Sequence, residues 1–377
     1  MEFSVQKSIL LQELLLLQGA VERKTTMPIL ANILAEATPE GRLQLAATDL
    51  DIALTTSCAA TVKKSGACAL PARRLLEYVK LLPEAELSVK RLENHWVQIR
   101  CGRANTRLVG MSKENFPEMA VFPAAGVVRM PMAALSEMIS KTIFAIANEE
   151  SRYTLNGALM VLKPSALCLV ATDGHRLAHV VQEPLALEGV SGEMKALVPK
   201  KAMGELQSLM ARAPEDATLE FAQDDTHLFF RLPSEGGAPR TLAVRKLTGQ
   251  FPNYEAVLPK AQMQSLPLRR EEFQASIKRV AQFADERSHA IRVRVEANKV
   301  VLAVASDAGE SEEEIDTTYD GAPVMIGFNS QYLEQFLDAV GSDEVLLEFK
   351  DESSAGQLRP SSNDNGQYRY VIMPMRI

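Results

Sequence analysis

The hydrophobic positions of this chain form a pattern that occurs three times. In each copy a short apolar strand ends in a hydroxyl residue followed by an aspartate. The aspartates lie about one third of the chain apart, and the three segments are Leu45–Asp49, Leu169–Asp173 and Ala303–Asp307. Because self-similarity at a regular spacing indicates repeated structural units, we predict a chain of three units.

Each unit is predicted to contain two amphipathic helices, one opening the unit and one following the aspartate. Apolar residues recur there at i, i+3 or i+4, and i+7, which is the spacing of one helix face. The opening helices are predicted from Leu10, Leu14, Leu17 and Val21, from Leu135, Met138, Ile139, Thr142 and Ile146, and from Phe273, Ile277, Val280 and Ala284. The second helices are predicted from Leu75, Val79 and Leu82, from Met203, Leu206 and Met210, and from Leu333, Phe336, Leu337 and Val340.

Short strand-like runs separate the helices. Two helices among several strands favour an α+β fold with antiparallel sheets over a doubly wound parallel sheet. The Pro/Gly/Ala-rich stretch 122–126 and the segment 258–262 are the predicted boundaries. We therefore predict units at residues 1–126, 127–261 and 262–377.

Composition indicates a globular protein, with 46% hydrophobic and 24% charged residues. The four cysteines follow neither metal-ligand nor disulfide spacing, so we expect reduced thiols in a cytosolic protein. The apolar segment 9–17 is interrupted by Gln12 and Glu13, and it is shorter than the about 20 apolar residues of a membrane span. We predict a cytoplasmic protein without a membrane segment.

One segment resembles a catalytic motif, Thr172-Asp173-Gly174-His175-Arg176. An Asp-x-His pair can orient a general base or bind a metal. However, Asp49 and Asp307 occupy the same place in the other units without a following histidine, which indicates a turn at the end of a strand. Phosphate-binding loops and nucleophile elbows do not occur in the sequence. We expect no enzyme, metal or cofactor, and a hydrolase or transferase using Asp173 and His175 is the alternative.

Charge gives a less direct indication. A net charge of −7 alone argues against a nucleic-acid partner. Basic residues nevertheless recur on related helices, and pseudo-symmetric units would gather them on one surface that can face a phosphate backbone. Ordinary solvated helix faces are the alternative. These residues are Arg73, Arg74 and Lys80, then Lys200 and Lys201, then Arg269, Arg270, Lys278 and Arg279.

The ends of the chain carry opposite charges. The acidic run Glu310–Glu314 lies in the third unit, and Arg100, Arg103 and Arg107 lie in the first. Complementary patches suit head-to-tail association, which closes a ring when the rotation allows. An ordinary acidic loop remains the alternative.

The last eight residues, 370–377, are mostly apolar. A docked strand accounts for Tyr370–Ile372. The flexible thioethers of Met373 and Met375, beside Pro374, suit an adaptable binding surface, with packing alone as the alternative.

Over its full length the sequence resembles the bacterial β sliding clamps, the processivity subunits of the DNA polymerase III holoenzyme. The motifs that carry the resemblance are Arg152–Gly157, Ala171–Leu177, Gln250–Tyr254 and Val371–Ile377, supported by Met27–Leu30 and Gly327–Asn329.

The resemblance implies a non-catalytic, head-to-tail homodimeric ring of clamp domains, with helices inside and sheets outside. Such a ring encircles duplex DNA without sequence readout and tethers the polymerase III catalytic subunit, the clamp loader and other proteins with a clamp-binding motif. The implied peptide pocket comprises Leu155, Thr172, Gly174, His175, Arg176, Leu177, Pro252, Val257, Asn329, Tyr332, Val371, Met373, Pro374, Met375 and Arg376. The implied DNA-facing residues are Lys24 and the nine basic helix residues named above. The implied dimer interface comprises Arg100, Arg103, Arg107, Leu108, Phe283, Glu310, Glu313 and Glu314.

The sequence departs from the family's pattern at several places. Ala256 and Ser288 replace an arginine and an aromatic residue at the pocket rim, and Glu149 and Glu150 are acidic in a loop expected near DNA. The segment 359–367 is longer than usual. A repeat scaffold that binds proteins but not DNA is the second alternative function.

Overall fold

The computed structural model shows one order of elements three times. A strand leads into a helix, three strands follow, another strand leads into a second helix, and three strands close the repeat; the first repeat has one additional strand. The prediction of three α+β units is confirmed at this level. The structure describes residues 1–22, 26–149, 153–214, 216–234, 238–259, 263–307, 309–362 and 367–376.

The strands are short and follow the repeats. The first repeat contains β1 Glu2–Gln6, β2 Asn32–Thr38, β3 Arg42–Thr48, β4 Ile52–Ala59, β5 Thr61–Lys64, β6 Gly66–Pro71, β7 Glu86–Arg91, β8 Trp96–Cys101 and β9 Ala104–Val109. The second contains β10 Val128–Pro131, β11 Gly157–Lys163, β12 Ala166–Thr172, β13 Arg176–Gln182, β14 Met194–Pro199, β15 Thr218–Gln223, β16 His227–Leu232 and β17 Arg240–Arg245. The third contains β18 Gln264–Arg269, β19 Ala290–Glu296, β20 Lys299–Ser306, β21 Gly309–Asp316, β22 Val324–Asn329, β23 Glu344–Phe349, β24 Gly356–Pro360 and β25 Tyr368–Ile372.

Two helices occur in each repeat, and their predicted apolar faces are buried. Leu14 and Leu17, for example, are fully buried, as are Phe273 and Ile277. Removing one such side chain from water contributes about 1.5–3 kcal/mol. The helices are α1 Lys7–Leu17, α2 Ala72–Leu81, α3 Met132–Ser140, α4 Lys200–Met210, α5 Arg270–Val280 and α6 Ser330–Ala339.

The opening helices end earlier than the hydrophobic period predicts. Val21 has an extended backbone after a 3₁₀ turn at residues 18–20. Thr142 has φ −130°, and its hydroxyl donates to the carbonyl of Met138 at 2.8 Å. The prediction that Val21, Thr142, Ile146 and Ala284 continue these helices was wrong, because local side-chain and 3₁₀ hydrogen bonds compete with the helical pattern.

The first compact unit comprises residues 1–136, 187–190 and 201–246. It contains a five-stranded sheet, β5-β1-β7-β8-β9, and an eight-stranded sheet, β10-β15-β16-β17-β4-β3-β2-β6. The strands pair antiparallel throughout, as predicted. In the larger sheet β17 of the second repeat pairs with β4 of the first, with Leu242 opposite Leu54. We call this pairing the first joint.

The second compact unit comprises residues 137–186, 191–200 and 247–377. Its eight-stranded sheet has the order β14-β11-β12-β13-β25-β24-β23-β18, and its four-stranded sheet the order β21-β20-β19-β22. Here β25 of the third repeat pairs with β13 of the second, with Val371 opposite Leu177. This second joint follows the rule of the first: the last strand of one repeat pairs with the fourth strand of the preceding repeat.

A buried ion pair reinforces the first joint. Arg240, the first residue of β17, donates from Nη2 to Oε1 of Glu13 in α1 at 2.9 Å. The two side chains are 4% and 6% exposed, and the hydroxyl of Thr56 also donates to the Glu13 carboxylate. The charges therefore hold a strand of one repeat against a helix of another.

Replacing Glu13 with Gln leaves Arg240 buried without an opposite charge. Removal of one partner from a buried pair costs about 3–5 kcal/mol, so we expect Glu13→Gln to lower the free energy of unfolding of the first compact unit by this amount in urea titrations followed by circular dichroism. The control is Glu36→Gln, which removes the 2.9 Å pair with Lys113, whose side chains are 35% and 49% exposed. Exposed pairs contribute about 0–1 kcal/mol, and similar losses in both variants would contradict this role for Glu13.

Candidate functional site

The recurring aspartate shapes a turn after the third strand of its repeat. In the second repeat, Oδ1 of Asp173 accepts hydrogen bonds from the backbone N–H of His175 at 2.9 Å and of Arg176 at 3.1 Å. Asp49 makes the equivalent bonds to Asp51 and Ile52 at 2.9 and 2.8 Å. The predicted turn role is confirmed for these two aspartates. The Asp173 carboxylate thus orients the backbone of this turn.

The turn of the second repeat presents an arginine that no other repeat has at this place. The Arg176 side chain is 7% exposed. Its Nε donates to Oδ2 of Asp173 at 3.0 Å, and its Nη2 donates to the carbonyl of Phe144 at 2.7 Å. Its Nη1 donates to Oε1 of Gln335. Since every edge of the guanidinium is used, Arg176 fixes the positions of its neighbours.

Aromatic rings enclose the Arg176 guanidinium. The Cζ atom of Arg176 lies 4.1 Å from the centroid of the Tyr332 ring and 5.6 Å from that of the Phe144 ring. The hydroxyl of the fully buried Tyr370 donates to the carbonyl of Tyr332 at 3.0 Å. Phe336 stacks on Tyr370 at 5.2 Å. A desolvated cation against ring faces is held more firmly than an exposed one.

The C-terminal residues continue from this cluster along the protein surface. The backbone N–H of Met373 donates to the carbonyl of His175 at 2.9 Å, and that of Met375 donates to the carbonyl of Gly327 at 2.8 Å. The Met373 side chain is nevertheless 45% exposed. The backbone of the tail is therefore fixed while a flexible apolar side chain remains available to a partner.

An apolar surface lies beside the tail. Val170, Leu177 and Val371 form the buried part of this apolar cluster. Partly buried residues packed against it include Phe251 and Tyr254, which bring the cluster to the protein surface. The cluster therefore places partly exposed apolar side chains near the oriented polar groups of the turn and the tail, a combination that ligand sites commonly have.

A histidine and a cysteine lie under this surface. The Nε2 atom of His179 is 3.5 Å from Sγ of Cys168, and the imidazole stacks on Tyr254 at 5.7 Å. Burial, together with the nearby Arg369, lowers the pKa of His179 to about 4. Burial raises the pKa of Cys168 to about 12. Both groups are therefore neutral near pH 7, and the thiol is a poor nucleophile because little thiolate forms.

All fifteen predicted pocket residues belong to the second compact unit. Hydrogen bonds, strand pairing or packing connect the turn 172–177, residues 371–375 and Tyr332. The exposed members are Gly174, His175, Pro252, Val257, Met373 and Arg376; the half-buried ones are Leu155, Asn329, Tyr332, Pro374 and Met375; the buried ones are Thr172, Arg176, Leu177 and Val371.

Sequence reasoning missed four residues that shape this site. Phe144 contributes a backbone carbonyl, which no side-chain pattern reveals. Gln335 and His179 looked like ordinary helix and strand positions. Tyr370 was recognised only as part of a docked strand, which the structure confirms as β25.

The positions that depart from the family pattern are partly explained. Ala256 is exposed in the turn after Pro252. The carbonyl of Ser288 accepts from Nδ2 of Asn329 at 3.1 Å, so Ser288 helps to orient a predicted pocket residue. Glu150 lies outside the described residues, as do residues 363–366 of the long segment 359–367.

Several predicted DNA-facing cations have acidic neighbours. Lys201 pairs with Asp49, and Arg279 pairs with Glu313. Burial lowers the pKa of Lys200, and Arg176 lowers it further. Lys80 and Arg270 also pair with carboxylates, those of Glu77 and Glu271. Of the remaining cations, Arg73 and Arg74 are in the first turn of α2, Arg269 directly precedes α5, Lys278 is in the last turn of α5, and Lys24 lies outside the described residues.

The predicted interface residues lie at two strand edges. Arg107 and Leu108 are on β9, with Arg100 on β8 and Arg103 in the intervening turn, whereas Glu310, Glu313 and Glu314 are on β21. Phe283 is 37% exposed.

Within the described ranges, no three His, Cys, Asp or Glu side chains form a group that could hold a metal ion. None of the helices described in the structure is long and apolar enough to cross a membrane.

Comparisons with known proteins cover the whole chain. Family models of the DNA polymerase III beta subunit match residues 1–120 (N-terminal domain), 129–253 (central domain) and 255–376 (C-terminal domain). The beta sliding clamp of Caulobacter vibrioides is 33% identical over 384 residues, covering 100% of both chains. The crystal structure of the DNA polymerase III subunit beta from Pseudomonas aeruginosa is similar with a TM-score of 0.92 at 29% identity over 100% of both chains.

A griselimycin-bound sliding clamp from Bartonella birtlesii is similar with the same TM-score of 0.92, at 33% identity over 100% of both chains. The three domain models, the identity and the shared fold agree. The chain therefore belongs to the DNA polymerase III beta subunit family of beta sliding clamps, which are processivity factors and not themselves enzymes.

Proposed function

We propose that two copies of this chain close head to tail into a ring that encircles duplex DNA and tethers the polymerase III catalytic subunit, the clamp loader and other partners. The observation that supports the ring best is that two strands, β9 and β21, each lie at the edge of a sheet with one side unpaired in the described part of the chain. At both joints, a last strand pairs with the fourth strand of the preceding repeat. Among the described residues, the remaining last strand, β9, pairs only with β8, and the remaining fourth strand, β21, pairs only with β20.

An edge strand presents unpaired N–H and C=O groups, which a second chain can complete. Pairing β9 of one copy with β21 of the other would repeat the geometry of the two intrachain joints. Two copies satisfy both edges at once, and closed head-to-tail symmetry then leaves no edge of this kind.

Charge and exposed apolar groups support the same contact. Arg107 on β9 and Glu310 on β21 are exposed, and opposite charges favour both encounter and correct register. Leu108 and Phe283 would add apolar contact between the copies.

We propose that duplex DNA runs through the ring and that its phosphates make only weak, exchangeable contacts with the protein. Strong phosphate contacts would stop sliding, whereas a few exposed cations can centre the duplex without reading its bases. Arg74, Arg269 and Lys278 suit this role better than Lys201 or Arg279, whose charges are paired with carboxylates.

We propose that the apolar surface beside residues 371–376 binds a short peptide from each partner. A Leu or aromatic side chain would lie against Leu177 and Val371, with Met373 closing over it. A ring of two copies would offer two such pockets and could tether two partners at once.

We propose clamp domains at residues 1–126, 127–261 and 262–377, and a cytoplasmic location. The family-model matches fall within or close to these domains. A replication factor would act where the bacterial chromosome lies.

The ring predicts a topological form of DNA binding. After loading onto nicked circular DNA, the protein should co-elute with the circle in gel filtration and be released when the circle is cut once by a restriction enzyme. Retention on the linear product, or no loading at all, would contradict an encircling ring. Circular DNA treated with an enzyme that has no site is the control.

The pocket predicts a local loss of peptide binding. Met373→Lys should weaken binding of a fluorescent peptide with a Leu or aromatic anchor about 5- to 30-fold, because a charge replaces a contact of about 1–2 kcal/mol. Met325→Lys is a matched control, since Met325 is 48% exposed in the same compact unit but lies outside the pocket. Griselimycin, which is bound in the B. birtlesii structure, serves as a competitor. Equal losses of peptide affinity in the two variants would contradict the assignment of the pocket.

A further inference from the structure

Polar side chains meet at the first joint around the aspartate turn. Asp49, whose side chain is 4% exposed, pairs with Lys201, the second residue of α4. Glu205, the sixth residue of α4, is half-buried, and burial raises its pKa. Its carboxylate occupies the space where a side chain at Gly19 would lie. The turn of the first repeat thus contacts the second helix of the next repeat through a charged cluster.

The second joint has an equivalent cluster. Asp173 pairs with Arg176, and Arg176 donates to Gln335. Gln335 is the sixth residue of α6, so it corresponds to Glu205 of α4. At both joints the turn of one repeat therefore meets the second helix of the following repeat, and the aspartate pairs with a cation. At the first joint this cation is Lys201 of the helix, and at the second it is Arg176 of the turn itself, which bonds to Gln335 of the helix.

The same positions in the third turn and on α2 are exposed. Asp307 is the turn aspartate of the third repeat and is exposed. The second and sixth residues of α2, Arg73 and Glu77, are also exposed. Glu77 contacts Lys80 at 3.2 Å, whereas Arg73 forms no ion pair with any residue that the structure describes.

We propose that Asp307 of one copy pairs with Arg73 of the second copy, with Glu77 beside them, as the third instance of this cluster. The inference rests on the proposed ring and specifies which groups hold it closed. It assigns Arg73 to the contact between copies rather than to the DNA-facing surface. At each joint the cluster consists of an aspartate turn and the second helix of the following repeat. Within one chain the turn at Asp307 has no following repeat and α2 has no preceding turn, so a second copy of this chain is the partner.

This third joint lacks the buried pair of the first joint. Glu13 is the seventh residue of α1, and Arg240 is the first residue of β17. The corresponding residues between copies are Ser276, the seventh of α5, and Ala104, the first of β9. Exposed ion pairs therefore carry a larger share of this contact, and salt screens them because the Debye length falls from about 10 Å at 0.1 M to about 3 Å at 1 M.

Charge reversal tests the pair in the full-length protein. The dimer dissociation constant is measured by sedimentation velocity for the wild type, Asp307→Arg, Arg73→Asp and the double variant. Each single variant should raise the constant roughly 5- to 50-fold, and the double variant should return it to within about threefold of wild type, as expected for residues in direct contact. Lys63→Asp is the control, because Lys63 is an exposed cation on β5, at the opposite edge of the sheet from β9.

The outcomes separate the inference from the ring itself. A monomeric wild type would overturn both. A dimeric wild type whose constant is unchanged by the single variants, or not restored in the double variant, would overturn the Asp307–Arg73 pair and leave the ring standing. Recovery in the double variant also shows that the single variants fail by charge and not by misfolding.

Discussion

Antiparallel pairing between repeats is the constraint on which the rest of the structure depends. The four strands β25-β24-β23-β18 of the third repeat continue the sheet of the second repeat through β13, and β17 continues the sheet of the first through β4. Backbone hydrogen bonds thus run from one repeat into the next. Each joint pairs the last strand of one repeat with the fourth strand of the preceding repeat. A linear chain of repeats therefore leaves the last strand of its first repeat and the fourth strand of its last repeat without such a partner.

The two intrachain joints are reinforced by different buried cations. Arg240 meets a carboxylate in α1, whereas Arg176 meets Asp173, a backbone carbonyl and aromatic rings. Buried charge is costly unless its hydrogen bonds are satisfied, and in both places several partners share that task. The second arrangement is continuous with the apolar surface and the exposed tail of the candidate site.

Much of the fold could be predicted from the sequence, because the repeat is carried by hydrophobic period and turn chemistry. The aspartate turns at Asp49 and Asp173 and the strand at Tyr370 were predictable in this way. The ends of α1 and α3 were not, since Thr142 bonds to backbone within the predicted helix. The pairing of Lys201 with Asp49 could not be predicted either. A charge pattern gives the charged residues of one helix, but not which carboxylate of another repeat lies beside them. The pocket residues came from a family resemblance, whereas Phe144 contributes through its backbone and leaves no trace in side-chain patterns.

The aspartate turn has a consequence for how the repeats could diverge. Its carboxylate accepts hydrogen bonds from the backbone N–H groups of the second and third residues that follow, and the residue directly after the aspartate has a positive φ in both repeats, 80° at Leu50 and 91° at Gly174. Leu50, Asp51 and Ile52 follow the first turn, and Gly174, His175 and Arg176 the second, although both turns have the same hydrogen bonds. A duplicated unit with such a turn can exchange the three residues after the aspartate and keep the same backbone hydrogen bonds, although the third of them, Ile52 or Arg176, is buried. One copy can then acquire a new role while its sisters keep the old architecture.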